Sequence, residues 1–344
     1  MVARTMSKPI AVLGADFHFN INTLSLANAA AKQLIAKANE LGVQAVFAGD
    51  THDTKAYLRA ECEETMLNTF AEARIDPLVL IGNHCRRNER SPEHALHFLK
   101  GVAHIIYKPC TWSYGALTAT LIPYQHDPED FRKAINQSNP LVICHQGLIG
   151  ADMGHYVQDK SAITKEDVAD YRVVSGHYHR RQDIKCGRPR KGALGLFSYI
   201  GNPYTLSFGE AKDPPKGFQI LMDDGTLEFV PTNLRQHIKA EETVADFLDG
   251  AGQSFLQYVR EQDLLRLVLR GTSAQLASLS KKDISKIIGR EDFKYDPIRT
   301  DVGTEAKVTP KMSHTEAMDA MIDGSQDEPG RKTELKKLYR ELLD

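Results

Sequence analysis

The chain of 344 residues has few of the features that would set it apart from ordinary globular proteins. It has only five cysteines, widely spaced and without a CxxC pair, which argues against a disulfide framework and against a thiolate zinc site. No apolar run approaches the roughly 20 residues of a membrane-spanning helix, so we expect no membrane association. The net charge of -2 lacks the basic excess of many nucleic-acid-binding domains, and any DNA contact must come from local patches.

The composition, with 42% hydrophobic and 26% charged residues, is that of a soluble globular protein. The length allows one large domain and a smaller one. The N-terminal segment MVARTMSKPI runs directly into an apolar stretch without a small-residue cleavage site. We therefore expect a cytoplasmic protein.

Short apolar runs alternate with helix-period segments in the first half of the chain, which predicts βαβαβ units with buried, largely parallel strands. The sheet is expected to continue through later runs, LTATLIPY, LVICH and YRVVSGH. Two further strand-like runs, GFQILM and TLEFVP, are joined by a turn that contains Asp224 and Gly225. This arrangement predicts a hairpin. The sum is an α/β fold in which two sheets are covered by helices.

The character of the sequence changes after Thr232, where a small α+β appendage is predicted. Its expected elements are a helix AEETVADFLDGAGQSFLQYVRE, a strand DLLRLVLRG, a helix SAQLASLSKKDISKIIG and a strand EDFKYDPIRT. The resulting division of the chain is 1–232 for the α/β domain, 233–300 for the appendage, 301–312 for a polar linker and 313–344 for a pair of helices.

The helix pair at 313–344 has sequence signals at both of its helices. Ser313 and Glu316 form a capping-box signature for the first helix. The second helix carries one apolar stripe, formed by Leu335, Leu338, Tyr339, Leu342 and Leu343. A tethered pair with little core of its own indicates a partner-binding element, and the alternative is that it folds back onto the appendage.

Side chains of metal-ligand type follow the ends of several predicted strands. They are Asp16, His18, Asp50, Asn83, His145, His177 and His179. In an open α/β sheet, sites form beyond the carboxyl ends of the strands, so these segments are expected to converge. The i, i+2 spacing of Asp16 with His18, and of His177 with His179, points each pair to one side if the backbone there is extended.

Carboxylate, imidazole and amide oxygen without thiolate form a ligand set for manganese, iron or zinc. These groups are too many for one ion that keeps an open position, which predicts two ions. If Asp50 bridges them, the two ligand sets are Asp16, His18, Asp50 and His179, and Asp50, Asn83, His145 and His177. Such a centre suits hydrolysis of a phosphodiester by a metal-activated water, and His84 can protonate the leaving oxygen or stabilise the developing charge.

The motifs occur in the order DFH from Asp16, GDTHD from Gly49, GNH from Gly82, then His145, and GHYH from Gly176. This series resembles that of the calcineurin-like metallophosphoesterases, whose fold is a two-sheet sandwich flanked by helices. The resemblance implies a two-metal phosphoesterase with His84 and Asp53 in catalytic roles. The cofactor it implies is a pair of Mn²⁺ ions, with magnesium, iron and zinc as other candidates.

Two positions depart from the patterns of this family. Thr54-Lys55 follows Asp53 where the serine/threonine phosphatase branch has Arg-Gly, which argues against that branch. Cys85 replaces the aspartate of the usual GNHD motif, and this leaves open what orients His84.

The stretch from Tyr199 to Pro231 narrows the resemblance through GNP at Gly201, SFGE at Ser207 and PKGF at Pro215. It resembles the corresponding segment of SbcD-type nuclease subunits of bacterial double-strand-break repair and of related phage recombination endonuclease subunits. That resemblance implies a DNA exonuclease, with endonuclease activity a further expectation. It also implies that 233–300 is a DNA-facing cap, that 313–344 binds an SbcC-type coiled-coil ATPase, and that the protein is a homodimer.

Basic residues follow two of the ligand motifs and are expected to meet the phosphates of DNA. The residues given this role are Arg86, Arg87, Arg180, Arg181, Lys185 and Arg188, and solvated surface loops are the competing interpretation. Two other functions stay open. A phosphodiesterase for a small substrate such as a cyclic nucleotide would share every ligand, and a non-catalytic scaffold would have a degenerate site, although no ligand is missing from the sequence.

Overall fold

The computed structural model describes residues 7–53, 59–88, 90–91, 93–115, 117–135, 139–153, 161–187, 195–301, 322 and 329–341. Several predictions lie outside these residues: the linker, the first of the two C-terminal helices, Thr54-Lys55 and Arg188.

The strands are β1 (Pro9–Gly14), β2 (Gln44–Phe47), β3 (Leu78–Leu80), β4 (His104–Ile106), β5 (Cys110–Tyr114), β6 (Leu117–Ile122), β7 (Leu141–His145), β8 (Arg172–Gly176), β9 (Gln182–Lys185), β10 (Leu196–Tyr199), β11 (Gly217–Met222), β12 (Leu227–Pro231), β13 (His237–Thr243), β14 (Leu264–Gly271) and β15 (Phe293–Arg299). The α-helices are α1 (Leu24–Leu41), α2 (Ala60–Phe70), α3 (Pro128–Ala134), α4 (Val244–Asp249), α5 (Ser273–Ala277), α6 (Lys281–Ile288) and α7 (Pro329–Glu341). Short 3-10 helices occur at Ala95–Leu99, Glu166–Val168, Phe208–Glu210 and Ala251–Tyr258.

The first sheet has six strands in the order β12-β11-β1-β2-β3-β4. Strands β1 to β4 are parallel, as predicted. Helix α1 carries the chain back from β1 to β2, α2 from β2 to β3, and a segment with the 3-10 helix Ala95–Leu99 from β3 to β4. The hairpin of β11 and β12 is also confirmed, and it joins the sheet antiparallel to β1. Strand β1 is buried on both faces: Val12 packs towards α1, whereas Leu13 faces the second sheet.

The second sheet also has six strands, in the order β5-β6-β7-β8-β10-β9. Its central strands β6, β7, β8 and β10 are parallel, and both edge strands run antiparallel. One buried cluster contains side chains from both sheets, among them Leu80 of the first and Ile143 of the second. The protein is therefore an α/β structure with two large mixed sheets, flanked by helices, that share a hydrophobic core.

A three-stranded parallel sheet, β13-β14-β15, forms a smaller α+β unit with helices α4 to α6. Three details of the predicted elements were wrong. The helix predicted over AEETVADFLDGAGQSFLQYVRE is interrupted at Gly250, which has a φ of 91°, and the chain continues as the 3-10 helix Ala251–Tyr258. The segment AEET ends strand β13 instead of starting a helix, and helix α4 begins only after Thr243, whose side chain accepts a hydrogen bond from Asp246 N. The single helix predicted over SAQLASLSKKDISKIIG is two helices, because Ser280 forms a capping box with Asp283 and starts α6 anew.

Helix α7 coincides with the second helix predicted near the C-terminus. The side chains that would complete its apolar stripe, from Leu338 onward, lie outside the described residues. Among the described residues, no helix combines the length and apolar character needed to cross a membrane.

Candidate metal centre

The predicted ligands lie in the turns that follow β1, β2, β3 and β8, and at the last residue of β7. The condition set for the paired ligands, an extended backbone, is not met. Asp16, His18, Asp50 and His177 all have positive φ angles, of 56°, 49°, 45° and 93°. Such a backbone costs a non-glycine residue about 1–3 kcal/mol, and the tight turns bring successive side chains into one crevice. Backbone hydrogen bonds hold these turns, including His18 N to Asp50 O at 3.0 Å.

Three groups of side chains have ligand atoms that all lie within 4.8 Å of one another. Asp16, His18 and His179 form the first cluster, and the group of His18, Asp53 and His84 shares His18 with it. The Nε2 atoms of His18 and His179 face each other at 3.0 Å. The opposite nitrogen of each ring meets a carboxylate: His18 Nδ1 lies 3.0 Å from Asp53 Oδ1, and His179 Nδ1 lies 2.9 Å from Glu210 Oε1. Both rings are thereby oriented with Nε2 towards the cluster.

Asp50, His145 and His177 form the second cluster. His145 Nδ1 donates to the carbonyl of Ala48 at 2.8 Å, so its Nε2 points towards Asp50 Oδ2 and Asn83 Oδ1, each 3.2 Å away. The Nδ1 atom of His177 lies 3.1 Å from the same Asn83 oxygen. The two clusters are joined because the backbone N–H of His177 donates to both oxygens of Asp16, at 3.0 and 3.1 Å.

The spacing and chemistry of these atoms fit metal coordination. Ligands at right angles around an ion, each at about 2.1 Å, lie about 3.0 Å apart, and the contacts within the clusters measure 3.0–3.2 Å. Because Nδ1 of His145 already donates to a carbonyl, a neutral ring would turn the Nε2 lone pair towards two acceptor oxygens. Either a proton or a cation must lie there, and these His and Asp groups can hold a metal ion.

The protonation of the pair formed by Asp50 and His145 supports this conclusion. Burial alone would lower the pKa of His145, but the carboxylates of Asp50 and Asp16 raise it to about 9. Burial would raise the pKa of Asp50, but His145 and neighbouring histidines hold it well below its ordinary value. The buried pair is therefore an imidazolium and a carboxylate, and a metal ion that binds here replaces the proton.

His84 lies beside the clusters and is oriented by Asp53. Its backbone N–H donates to Asp50 Oδ1 at 2.9 Å, and its Nδ1 lies 3.0 Å from the Asp53 carbonyl and 3.5 Å from that residue's Oδ1. The hydrogen bond from His18 is the main reason that the pKa of Asp53 is lowered. Cys85 is fully buried in the core, and burial raises its pKa to about 12, so it stays a neutral thiol. What orients His84 is thus Asp53, and not the residue that follows it in the motif.

Two glycines allow the ligands to approach closely. A Cβ atom on Gly49 would lie 2.1 Å from His145 Nδ1, and one on Gly82 would lie 2.1 Å from Asp50 Oδ1. Gly49 also has a φ of 93°, which other residues adopt only with strain. The glycines of the GD and GNH motifs are therefore required by the packing of the ligands behind them.

Sequence reasoning missed the buried polar residues behind His179. Glu210 accepts from the ring of His179, and Lys216, with a side chain 2% exposed, lies 3.4 Å from Glu210. Burial would raise the pKa of Glu210, but the hydrogen bond from His179 and the charge of Lys216 lower it to about 2. The SFGE and PKGF runs that contain these residues were the available signal, although nothing in the sequence shows that they meet at His179.

Arg86 and Arg87, the predicted DNA contacts that follow the GNH motif, both contact other residues of the protein. Arg86 is 9% exposed, its guanidinium donates to the carbonyl of Tyr124, and it also lies 5.6 Å from the centre of that ring. The DNA contact of Arg86 stays a prediction, and the structure shows that part of its guanidinium is engaged within the protein. Arg87 is 74% exposed and pairs with Glu93 at 3.1 Å.

A second group of predicted DNA contacts lies after His179 and is only partly open to solvent. Arg180 pairs with Asp152 at 2.6 Å, and the guanidinium of Arg181 lies 4.1 Å from the centre of the Phe229 ring. Lys185 is exposed at the end of β9. A DNA-binding role for these residues and for Arg87 stays a prediction.

A cavity of about 450 Å³ opens over the first cluster. His18, His84, His177 and His179 line one side of it, and Leu206, Ser207 and Gly209 line another. The ligands thus border a space that a substrate can enter.

Comparison with known proteins was made at two levels: no protein-family model matches this chain, and no curated protein matches it significantly.

Proposed function

We propose that this protein is a two-metal phosphoesterase of the calcineurin-like kind and, within that class, an Mn²⁺-dependent DNA nuclease subunit of the SbcD type. The observation that carries the proposal is the pairing of His18 and His179 at 3.0 Å beside a second cluster around Asn83 Oδ1. The ligands follow in the order of the motifs that resemble this family, and the two mixed sheets are compatible with its sandwich fold.

In this proposal Asp16, His18 and His179 hold one ion, and Asn83, His145 and His177 hold the other, with Asp50 shared. When bound, the ions supply a Lewis acid for the phosphate and lower the pKa of a water molecule. The chain contributes the orientation of every ligand. Tight turns position Asp16 and Asp50. The carboxylates of Asp53 and Glu210 fix the imidazole rings of His18 and His179 before substrate arrives.

His84 is the proposed general acid. With Nδ1 engaged by the Asp53 carbonyl at 3.0 Å, Nε2 is the ring nitrogen that can exchange a proton with the leaving oxygen of a phosphodiester. Asp53 serves two histidines in this scheme, because its carboxylate also orients the ligand His18. The proton donor and one metal ligand are thereby held in a fixed relation.

The α+β unit favours DNA over a small substrate. Phe208 lies between two cavity-lining residues, Ser207 and Gly209, and contacts this unit. The guanidinium of Arg266 lies 4.5 Å from the centre of the Phe208 ring, and Lys294 Nζ lies 5.4 Å from it. Cations from 233–300 therefore lie against a residue adjacent in sequence to the cavity lining, one of them, Arg266, also paired with Asp296 at 3.5 Å, and in this proposal they meet the phosphates of a bound polymer.

An assay with Mn²⁺ tests the reaction class and the substrate together. Linear duplex DNA, single-stranded DNA, a cyclic dinucleotide and bis(p-nitrophenyl) phosphate are compared, with EDTA as the metal-free control and His145→Ala as a variant that lacks a ligand of one ion. We expect metal-dependent cleavage of DNA. Cleavage of the cyclic dinucleotide alone would refute the nuclease assignment, and inactivity on all four substrates with Mn²⁺ bound would refute the phosphoesterase.

The DNA-facing role of 233–300 has its own test. The double variant Arg266→Gln with Lys294→Gln should slow cleavage of duplex DNA and reduce its salt dependence, while hydrolysis of bis(p-nitrophenyl) phosphate is unchanged. Lys282→Gln, an exposed change on α6, is the matched control. If the double variant and the control cleave DNA at equal rates, Arg266 and Lys294 do not contribute to DNA binding and the DNA-facing role of 233–300 is refuted.

The partner assigned to 313–344 is an SbcC-type coiled-coil ATPase, and a homodimer is proposed by the same resemblance. Helix α7 is the described part of that segment. Deletion of 313–344 should abolish binding to such an ATPase and spare metal-dependent hydrolysis of simple phosphodiesters. If the truncated protein binds the ATPase as well as the full chain does, the binding site lies outside 313–344.

A further inference from the structure

Glu210 is a carboxylate whose two oxygens are both occupied by donors. Its Oε1 meets His179 Nδ1 at 2.9 Å, and its Oε2 accepts from Asn202 Nδ2 and from the backbone N–H of Leu206, each at 2.9 Å. Lys216 Nζ lies 3.4 Å from the same Oε2. An ionised carboxylate is only an acceptor, so this set of donors requires that His179 carries its proton on Nδ1.

The backbone of His179 is held by the same group of residues. Its carbonyl accepts from Lys216 Nζ at 3.0 Å and from the backbone N–H of Asn202 at 3.2 Å. Gly201 lies against that carbonyl, because a Cβ atom there would be 2.9 Å from the oxygen, and its φ is 77°. Residues of the GNP, SFGE and PKGF runs thus meet on one ligand, and they hold both its ring and its main chain.

We propose that Glu210 is a positioning residue of the metal centre: by accepting from Nδ1 it fixes the tautomer of His179 and turns the Nε2 lone pair towards His18. This inference rests on the proposed function, because it takes His179 as a metal ligand. A histidine that donates its second N–H to a carboxylate is a stronger and better oriented ligand. Glu210 therefore sets the affinity of the cluster of Asp16, His18 and His179 without touching the ion.

The variant Glu210→Gln tests this because neither orientation of the amide preserves the arrangement. If the new NH₂ group replaces Oε2, it meets the donors Asn202 Nδ2 and Leu206 N. If it replaces Oε1, it donates to His179 Nδ1 and moves the ring proton to Nε2, which then cannot bind a metal. We expect the affinity for one of the two Mn²⁺ ions to fall about 10- to 100-fold, while the other ion binds as in the wild type.

Two measurements distinguish positioning from a merely structural role. Isothermal titration with Mn²⁺ gives the two affinities, and imidazole ¹⁵N spectra of the metal-free protein report whether the His179 proton is on Nδ1. Asp213→Asn is the matched control, since Asp213 pairs with Lys216 at 2.7 Å but does not touch the His179 ring. Glu228→Gln, an exposed change on β12, controls for lost charge. Circular dichroism checks that each variant is folded.

The proposal is overturned if Glu210→Gln binds both ions with wild-type affinity, or if Asp213→Asn loses as much affinity as Glu210→Gln. It is supported if the affinity loss and the change of tautomer occur together in Glu210→Gln alone. Failure of the proposed function looks different: the wild type would bind Mn²⁺ and respond to Glu210→Gln as expected, yet would cleave no phosphodiester.

Discussion

The Nε2 atoms of His18 and His179 lie 3.0 Å apart, although 161 positions separate the two residues. Each ring has its Nδ1 on a carboxylate, Asp53 for His18 and Glu210 for His179. With both Nδ1 atoms protonated, two Nε2 lone pairs face each other, and that arrangement is repulsive. A cation bound by both nitrogens converts the repulsion into attraction, so metal binding should be coupled to the stability of the whole α/β structure.

Mn²⁺ is therefore expected to raise the melting temperature. At a free concentration 100 times the dissociation constant, one tight site stabilises the folded state by about 2.7 kcal/mol. Differential scanning fluorimetry of EDTA-treated protein with and without Mn²⁺ measures the shift. His104→Ala, which removes a histidine whose side chain is 64% exposed, should keep the full shift, whereas His18→Ala should lose most of it. The same shift in both variants would argue that Mn²⁺ binds outside the clusters.

Replacing His84 should separate catalysis from metal binding. The ring contacts the Asp53 carbonyl through Nδ1 and lies outside the clusters around His179 and His145, but with His18 and Asp53 it forms a third group that could hold a metal ion, so its role needs a direct test. Loss of a general acid lowers kcat by about 10²- to 10⁴-fold, so His84→Ala should lose activity on the substrate found in the Mn²⁺ assay. Metal content, measured by atomic absorption after gel filtration, should equal that of the wild type. A variant that loses its metal would instead identify His84 as a ligand.

Gly82 is expected to tolerate no side chain. A Cβ atom there would lie 2.1 Å from Asp50 Oδ1 and 2.4 Å from Asp50 N, and neither atom can move without displacing a ligand. Gly82→Ala should therefore weaken Mn²⁺ binding by at least about 10-fold, the lower end of what loss of ligand support costs. Gly330→Ala is the control, since nothing lies within 4 Å of its Cβ position. Wild-type affinity in Gly82→Ala would show that the turn after β3 relaxes freely.

The convergence of the candidate ligand side chains could be predicted because residue type and position both point to it. Each follows a buried strand, and the carboxyl ends of neighbouring parallel strands meet at one edge of a sheet. The positive φ angles of Asp16 and His177 could not be predicted, because hydrogen bonds between distant turns impose them. The role of Glu210 depends on donors from four separate residues, His179, Asn202, Leu206 and Lys216. A local sequence pattern cannot predict that these residues contact one carboxylate.

Errors in the predicted elements have a similar physical origin. The periodicity around Ser280 is helical on both sides, and only the capping box with Asp283 shows that the chain restarts there. Arg86 follows the GNH motif, and nothing in the sequence indicates that its guanidinium packs on Tyr124. Sequence gives the charge of a residue, whereas burial decides which groups that charge can reach.

Cys85 should resist thiol reagents in the folded protein. The side chain is fully buried, and burial raises its pKa to about 12, so the reactive thiolate is negligible at pH 7.5. Iodoacetamide followed by peptide mass spectrometry should label exposed Cys110 first and leave Cys85 unlabelled, with no loss of Mn²⁺ binding. Labelling in urea, where all cysteines become accessible, is the control. Modification of Cys85 under native conditions would indicate that the core beside His84 opens readily.

Asp263 ties the start of β14 to the chain before β13. Its side chain is 1% exposed and accepts from the Arg260 guanidinium at 2.9 Å and from the backbone N–H of Gln236 at 2.8 Å. Burial alone would raise the pKa of Asp263, but these hydrogen bonds lower it below its ordinary value. Because the pKa is lower in the folded state, the stabilisation is present above the unfolded pKa of about 3.9 and is lost as the pH falls through the folded pKa.

The variant Asp263→Asn should therefore reduce the free energy of unfolding at pH 7 by about 1–3 kcal/mol, as expected for a buried charged hydrogen-bond acceptor. Urea unfolding at pH 7, 5 and 3.5 measures the difference from the wild type, which should stay constant from pH 7 to 5 and shrink at 3.5. Asp130→Asn, which removes an exposed partner of Lys133, should change stability by less than about 0.5 kcal/mol at every pH. A difference between wild type and Asp263→Asn that grows as the pH falls would contradict this, because it would mean that the Asp263 pKa is raised in the folded protein, so that acid stabilises the wild type relative to the variant.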